Sequence, residues 1–223
     1  MLNKSFKGGI HPDYSKNLTK NLPIKTLDIP NQVIIPLVQH IGAICHPVVK
    51  VGDQVKAGTL IAESEKLISA KIYSSISGKI KAIKKAEHPV IGSCNAIIID
   101  SDKADEKETL TGDYPVKMED FTPQNIIDII KQAGIVGMGG AGFPTHVKLS
   151  PPADKKIDTF ILNGAECEPY LTCDDRMMQE HSKEVLKGSI LIMKAVGVKK
   201  GIIAIEDNKP KAIEAMCTSL NEI

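Results

Sequence analysis

Two short stretches hold residue types whose spacing could do chemistry. The first, GIVGMGGAGFPTHVK, sets Gly137, Gly139 and Gly142 in a GxGxxG pattern, with Gly140 inside it. Glycines this dense let backbone N–H groups approach an anion, and Pro144 and Thr145 open a predicted helix whose N-terminus favours negative charge. Lys148 lies one turn into that helix, where its ammonium can reach the same anion. A dinucleotide fingerprint should follow a strand, yet only Ile135 and Val136 separate this loop from the preceding predicted helix. The spacing supports anion binding without the ordinary Rossmann context, and a loop that needs glycine only for turn geometry is the alternative. The second stretch is NGAECEPY at 163–170, directly after the predicted strand DTFILN. Ligands of α/β sheets collect outside the C-terminal ends of strands, so Asn163, Glu166 and Glu168 are placed to bond ribityl, ribose or carboxamide groups. A solvated acidic turn is the plainer alternative. Cys167, Cys173 and His181 match no closed zinc spacing, and no metal site is expected.

The elements that must position these stretches follow from periodicity. Residues 1–32, with Gly8, Gly9, Pro12, Pro23 and Pro30, read as an extended arm that packs on something else. From 33 to 104 short β-type runs such as VIIPLV, PVVKV, TLIAES and AIIID, separated by turn residues, form a small all-β domain. A polar, acidic stretch at 105–122 reads as a linker. Beyond it Thr122 and Pro123 cap a helix running to Gly134, and the predicted strands 158–163 and 201–206 alternate with helices at 174–196 and 210–220. Alternation implies a parallel sheet covered by helices. The fold class is therefore α/β plus small all-β, with 123–223 a Rossmann-like α/β domain that looks truncated.

Composition limits the function. Lys and Arg total 28 against 27 Asp and Glu, so no global field attracts nucleic acid or an anionic membrane. Eight Phe and Tyr with no Trp argue against a surface of stacking rings for single strands, and leave aliphatic residues to fill the cores. The five cysteines, at 45, 94, 167, 173 and 217, make no CxxC pair, so neither a disulfide framework nor an iron–sulfur set is read here, and reduced thiols imply the cytoplasm. No stretch is apolar over the length a signal peptide or membrane span needs.

The segments GMGGAGFPTHVKL and ILNGAECEPYLTCDDRMM, with the opening FKGGIHP and the run AICHPVVKVGDQV, resemble the C subunit of the Rnf electron-transport complex, the ion-translocating ferredoxin:NAD oxidoreductase. GGAGFPT and NGAECEP are more distantly similar to the flavin- and NADH-binding subunit of respiratory complex I. The resemblance implies FMN held by the loop around Gly137, Gly139, Gly140 and Gly142, with Lys148 near the flavin phosphate and Asn163 and Glu166 near the isoalloxazine or ribityl. It implies Phe143 stacking on the adenine of NAD(H) and Glu168 lining the nicotinamide pocket. Ala165 stands where the complex I pattern has aspartate. No side chain is assigned as nucleophile, acid or base. The family continues into a β-grasp domain and two [4Fe–4S] cluster motifs, so those clusters are expected only beyond this stretch. The partners implied are the other subunits of a membrane redox complex, with this chain peripheral on its cytoplasmic face.

The run from His46 to Ile83 resembles a barrel-sandwich hybrid, the fold of lipoyl and biotinyl carriers. Lys66 stands where a carrier lysine could, but its flanks, Ser-Glu-Lys-Leu, differ from those of carriers. A structural or docking role is the reading adopted for this domain. Two rivals accompany the redox subunit: a cobalamin-reductase-like flavoprotein of a microcompartment, and a non-catalytic assembly or carrier module.

Overall fold

The computed structural model describes residues 10, 12–108, 115, 117–152 and 154–223. The chain divides into two compact units: Leu27–Lys156 with Lys194–Gly197, here the β unit, and Met1–Thr26, Ile157–Met193 and Val198–Ile223, here the α/β unit. Parts of the predicted arm (1–9 and 11) and of the predicted linker (109–114 and 116) lie outside the described residues.

The β unit contains strands β1 (Gln32–Pro36), β2 (His46–Pro47), β3 (Gln54–Val55), β4 (Leu60–Glu63), β5 (Ile72–Tyr73), β6 (Gly78–His88) and β7 (Gly92–Ser101). One antiparallel sheet runs in the order β1-β7-β6-β3 and a second in the order β2-β4-β5. β-branched side chains alternating along the strands bring Ile35, Ile61, Ile72, Ile80, Ile97 and Ile99 into one aliphatic core. Gly78 opens β6 because a Cβ there would stand 2.0 Å from the Asp100 carbonyl oxygen. Of PVVKV, expected as a strand, only Pro47 lies in a strand, β2, followed by one backbone bond from Val48 N–H to Ile61 O at 3.0 Å. The Lys50 N–H donates to Asp53 Oδ2 at 2.9 Å, and that side-chain bond turns the chain instead of extending it.

The loop carrying Lys66 is tied at both flanks. Ser69 Oγ donates to the carbonyls of Ser64 and Lys66, the Ala43 N–H donates to Ile68 O at 2.9 Å, and the buried His146 ring meets Leu67 O at 3.2 Å. The first residues of the predicted linker form an isolated parallel bridge, with Ala57 N–H donating to Glu106 O and Glu108 N–H to Ala57 O, at 2.9 and 2.7 Å. Helix α1 (Pro123–Gln132) starts as predicted, with a reciprocal cap in which Thr122 Oγ1 accepts from Asn125 N–H and Asn125 Oδ1 accepts from Thr122 N–H. Helix α2 (Thr145–Lys148) is a single turn.

In the α/β unit, β8 (Thr159–Gly164) and β9 (Lys200–Ile205) pair in parallel, from Thr159 opposite Lys200 to Gly164 opposite Ile205. The stretch 174–196, predicted as one helix, is two: α3 (Cys173–Glu180) and α4 (Ser182–Val196). His181 leaves helical angles, with φ −131 and ψ 34. The break lets Met178 of α3 and Leu186 of α4 both reach the core formed with Ala212 and Met216 of α5 (Pro210–Leu220), while the hydroxyls of Ser182 and Ser219 bond at 2.7 Å. Among the described residues no helix is long and apolar enough to cross a membrane.

Candidate functional site

The glycine loop belongs to the β unit. Its stem is closed by backbone bonds: Val136 bridges Pro144 antiparallel, Gly137 N–H donates to Phe143 O at 2.8 Å, and Thr145 N–H donates to Ile135 O at 3.0 Å. One side of the tip is packed. Ala141 O accepts the Ile41 N–H at 3.0 Å, and a Cβ on Gly142 would lie 2.8 Å from the Gln39 carbonyl oxygen. The other side is open, since nothing lies within 4 Å of a Cβ built on Gly139 or Gly140. Gly140 and Gly142 have φ of +71 and +60, left-handed angles that glycine adopts without a Cβ clash.

Lys148 lies against this loop: its Nζ is 2.5 Å from where a Gly137 Cβ would be. The predicted helix-terminus attraction is weaker than the sequence implied, because a single turn sums few peptide dipoles. Phe143 is half-buried, and the loop borders a cavity of about 550 Å³ whose walls include Ile41, Ile91, Met138 and Gly140. His146, absent from the sequence-derived set, is 4% exposed, and burial holds its imidazole below the ordinary histidine range.

The acidic turn belongs to the α/β unit and leaves the C-terminal end of β8. Its three predicted polar residues take different positions. Asn163 and Glu168 are exposed, and Asn163 Oδ1 accepts the Ala165 N–H at 3.0 Å. Glu166 turns inward and is 2% exposed. Its Oε1 accepts from Asp174 N–H at 2.8 Å and from Cys173 Sγ at 3.3 Å, while Oε2 is buried without a hydrogen-bond partner. Burial pushes the Cys173 thiol up, and the hydrogen bond to Glu166 adds to that rise. Burial also pushes the Asp174 carboxyl up, with the Glu166 charge second.

Beneath the turn, Glu166 N–H donates to Glu206 Oε2 at 3.3 Å, and Glu206 pairs with the buried Lys209 ammonium. Burial pushes the Glu206 carboxyl up, but the Lys209 hydrogen bond and the Glu166 N–H outweigh it and leave the group below its usual range. Glu166, Cys173 and Asp174 place ligand-type atoms within 4.8 Å of one another, the Lys16 ammonium lies 3.8 Å from Glu166 Oε2, and the Lys209 and Lys16 charges both act on Asp174. Sequence reasoning missed Lys16, Glu206 and Lys209. Each is one charged residue among many in the sequence, and only the fold brings them to the turn.

Residues 4–104 match the family model of the RnfC barrel sandwich hybrid domain, and residues 130–223 match that of the Nuo51 FMN-binding domain. These domain matches and the compact units are different divisions of one chain. Over 96% of its length the chain is 54% identical to the C subunit of the proton-translocating ferredoxin:NAD(+) oxidoreductase complex of Clostridium ljungdahlii, covering 46% of that protein. It is 44% identical over 97% of its length to the C subunit of the Na(+)-translocating ferredoxin:NAD(+) oxidoreductase complex of Acetobacterium woodii, covering 48% of it. With the C subunit of the ion-translocating oxidoreductase complex of Rhodobacter capsulatus it shares 43% identity over 95% of the chain and 41% of the relative. The chain thus spans about half the length of these relatives, or less. Two adjoining domain matches and alignment along nearly all of its residues identify it as a homologue of the C subunits of Rnf-type ion-translocating oxidoreductase complexes.

Proposed function

We propose that this chain is the nucleotide-handling part of a peripheral subunit that exchanges hydride between NAD(H) and FMN in an ion-translocating ferredoxin:NAD oxidoreductase complex on the cytoplasmic face of the membrane. The observation that carries the reading is the open half of the glycine loop, where Gly139 and Gly140 leave free space against the backbone, while the Lys148 ammonium lies against Gly137 of the same loop. Those features fit FMN: a phosphomonoester needs donors and a cation, and a broad ring needs backbone without side chains in its way. FMN, when bound, supplies the hydride-accepting and hydride-donating chemistry. The chain's own residues bind and orient. Gly137, Gly139, Gly140 and Gly142 form the cradle, Lys148 neutralises phosphate charge, and Phe143 offers a ring face for the adenine of NAD(H). In the α/β unit Asn163 and Glu168 are exposed on the turn, Asn163 assigned to the isoalloxazine or ribityl of FMN and Glu168 to the nicotinamide of NAD(H), and Glu166 acts from inside by holding the turn's shape.

The names of the relatives favour this reading over the cobalamin-reductase alternative. The tethered Lys66 loop does not favour a swinging carrier arm. The test is Gly139→Val in the full-length subunit. The new side chain enters open space, so the fold should hold while FMN affinity, followed by flavin fluorescence, falls at least about tenfold. Unchanged FMN affinity in a folded Gly139→Val protein would refute the assignment of the loop.

A further inference from the structure

We propose that Lys16 is a positioning residue of the acidic turn, fixing the backbone that presents Asn163 and Glu168. The inference rests on the reading that this turn takes NAD(H). An ammonium has three donors, and those of Lys16 meet three carbonyls of one short arc: Glu166 O at 2.6 Å, Glu168 O at 3.2 Å and Leu171 O at 2.7 Å. Lysine heads ordinarily stay in water, yet this side chain is only 12% exposed. Drawing three carbonyls toward one cation curls the backbone tightly, and within the arc Tyr170 holds φ +69, a left-handed angle for a residue with a side chain.

The arm docks along the arc as well. Tyr170 N–H donates to Tyr14 O at 2.8 Å, and Thr172 Oγ1 donates to Thr19 Oγ1 at 2.8 Å. The same Lys16 ammonium is the charge facing the orphaned Glu166 Oε2. Lys16 above and the Glu206–Lys209 pair below therefore enclose the turn, and Lys16 is the only member of this group that holds several of its carbonyls. Without it, three carbonyls lose their shared donor and Glu166 Oε2 its facing ammonium, leaving the Tyr14–Tyr170 backbone bond and the Glu166 contacts to hold a looser arc.

The experiment compares Lys16→Met, Lys16→Arg and Glu168→Gln in the full-length subunit. NAD(+) affinity is measured by calorimetry, kinetics give KM and kcat, and amide exchange is followed at Tyr170. Lys16→Met should weaken NAD(+) binding about tenfold, raise KM more than it lowers kcat, and speed exchange at Tyr170. Lys16→Arg, which keeps charge and several donors, should recover most of the affinity. Normal affinity in Lys16→Met beside a Glu168→Gln protein that binds poorly would overturn the positioning role while the functional reading stands. Normal affinity in both would overturn the nucleotide reading of the turn and this inference with it. Lower thermal stability with normal affinity in the folded fraction would make Lys16 a structural anchor only, which also overturns the proposal. Should Lys16→Met not fold, Lys16→Gln, which retains a donor for one carbonyl, is judged by the same outcomes.

Discussion

At Gly142 the Cβ of any other residue would meet the Gln39 carbonyl oxygen at 2.8 Å while the backbone holds φ +60, whereas at Gly139 a Cβ meets nothing within 4 Å. The two glycines of one motif therefore have separable jobs. Gly142→Ala is expected to destabilise the β unit by about 1–2 kcal/mol from the left-handed angle alone, with the carbonyl contact adding to it. Gly139→Ala should stay within about 0.5 kcal/mol of the parent. Urea unfolding of both variants checks the contrast. Cys173 offers a second residue-scale prediction, one that depends on pH. Its thiol titrates above the ordinary cysteine range because of burial and then the Glu166 hydrogen bond, so the thiolate fraction at any given pH is reduced. The rate of alkylation by iodoacetamide, followed at Cys173 by mass spectrometry, should rise only at more alkaline pH than for a free thiol. Glu166→Gln should move that profile back toward neutral pH, and an unmoved profile would show that the carboxylate has no part in it.

Among the elements, α1 makes the sharpest prediction because its start rests on one reciprocal cap. Thr122→Ala removes the oxygen that accepts the Asn125 N–H and should cost about 1 kcal/mol, read as a lower urea midpoint with an unchanged slope. The same local chemistry explains what could be read from sequence. Thr122–Pro123 and Pro210 mark the starts of α1 and α5 in the residues themselves, and the strands with alternating isoleucines declare their inward faces. Other features depend on contacts distant in sequence, and no local pattern encodes them. The apolar periodicity runs on through His181, so the division between α3 and α4 shows only once Met178 and Leu186 are seen to share a core. The glycine spacing pointed to the loop but not to which glycine is packed, because the packing partner is Gln39, a residue of the β unit about a hundred positions earlier. In the turn, the types Asn163, Glu166 and Glu168 were legible as a polar group. Their inward and outward directions were not, since Lys16, Cys173 and Glu206 settle them.

At the scale of the whole molecule, the α/β unit is assembled from both ends of the described sequence, and the β unit from its middle. Deleting residues 1–26 should therefore lower protection against amide exchange and proteolysis across 157–193 and 198–223, while strands β1 to β7 keep theirs. Uniform loss in both units would show that the arm supports more than the turn it touches. The docking of Lys16 onto carbonyls 150 and 155 residues later also has a consequence in time. A ribosome delivers Lys16 well before its acceptors, an interval on the order of ten seconds at ordinary elongation rates. During that interval the hairpin of β6 and β7 can already close, because its strands lie within a few residues of each other. A segment made before the β unit thus finds its place only after that unit's strands can pair. Nascent chains stalled before residue 157 should lose the arm to a brief protease pulse and retain the β6–β7 hairpin.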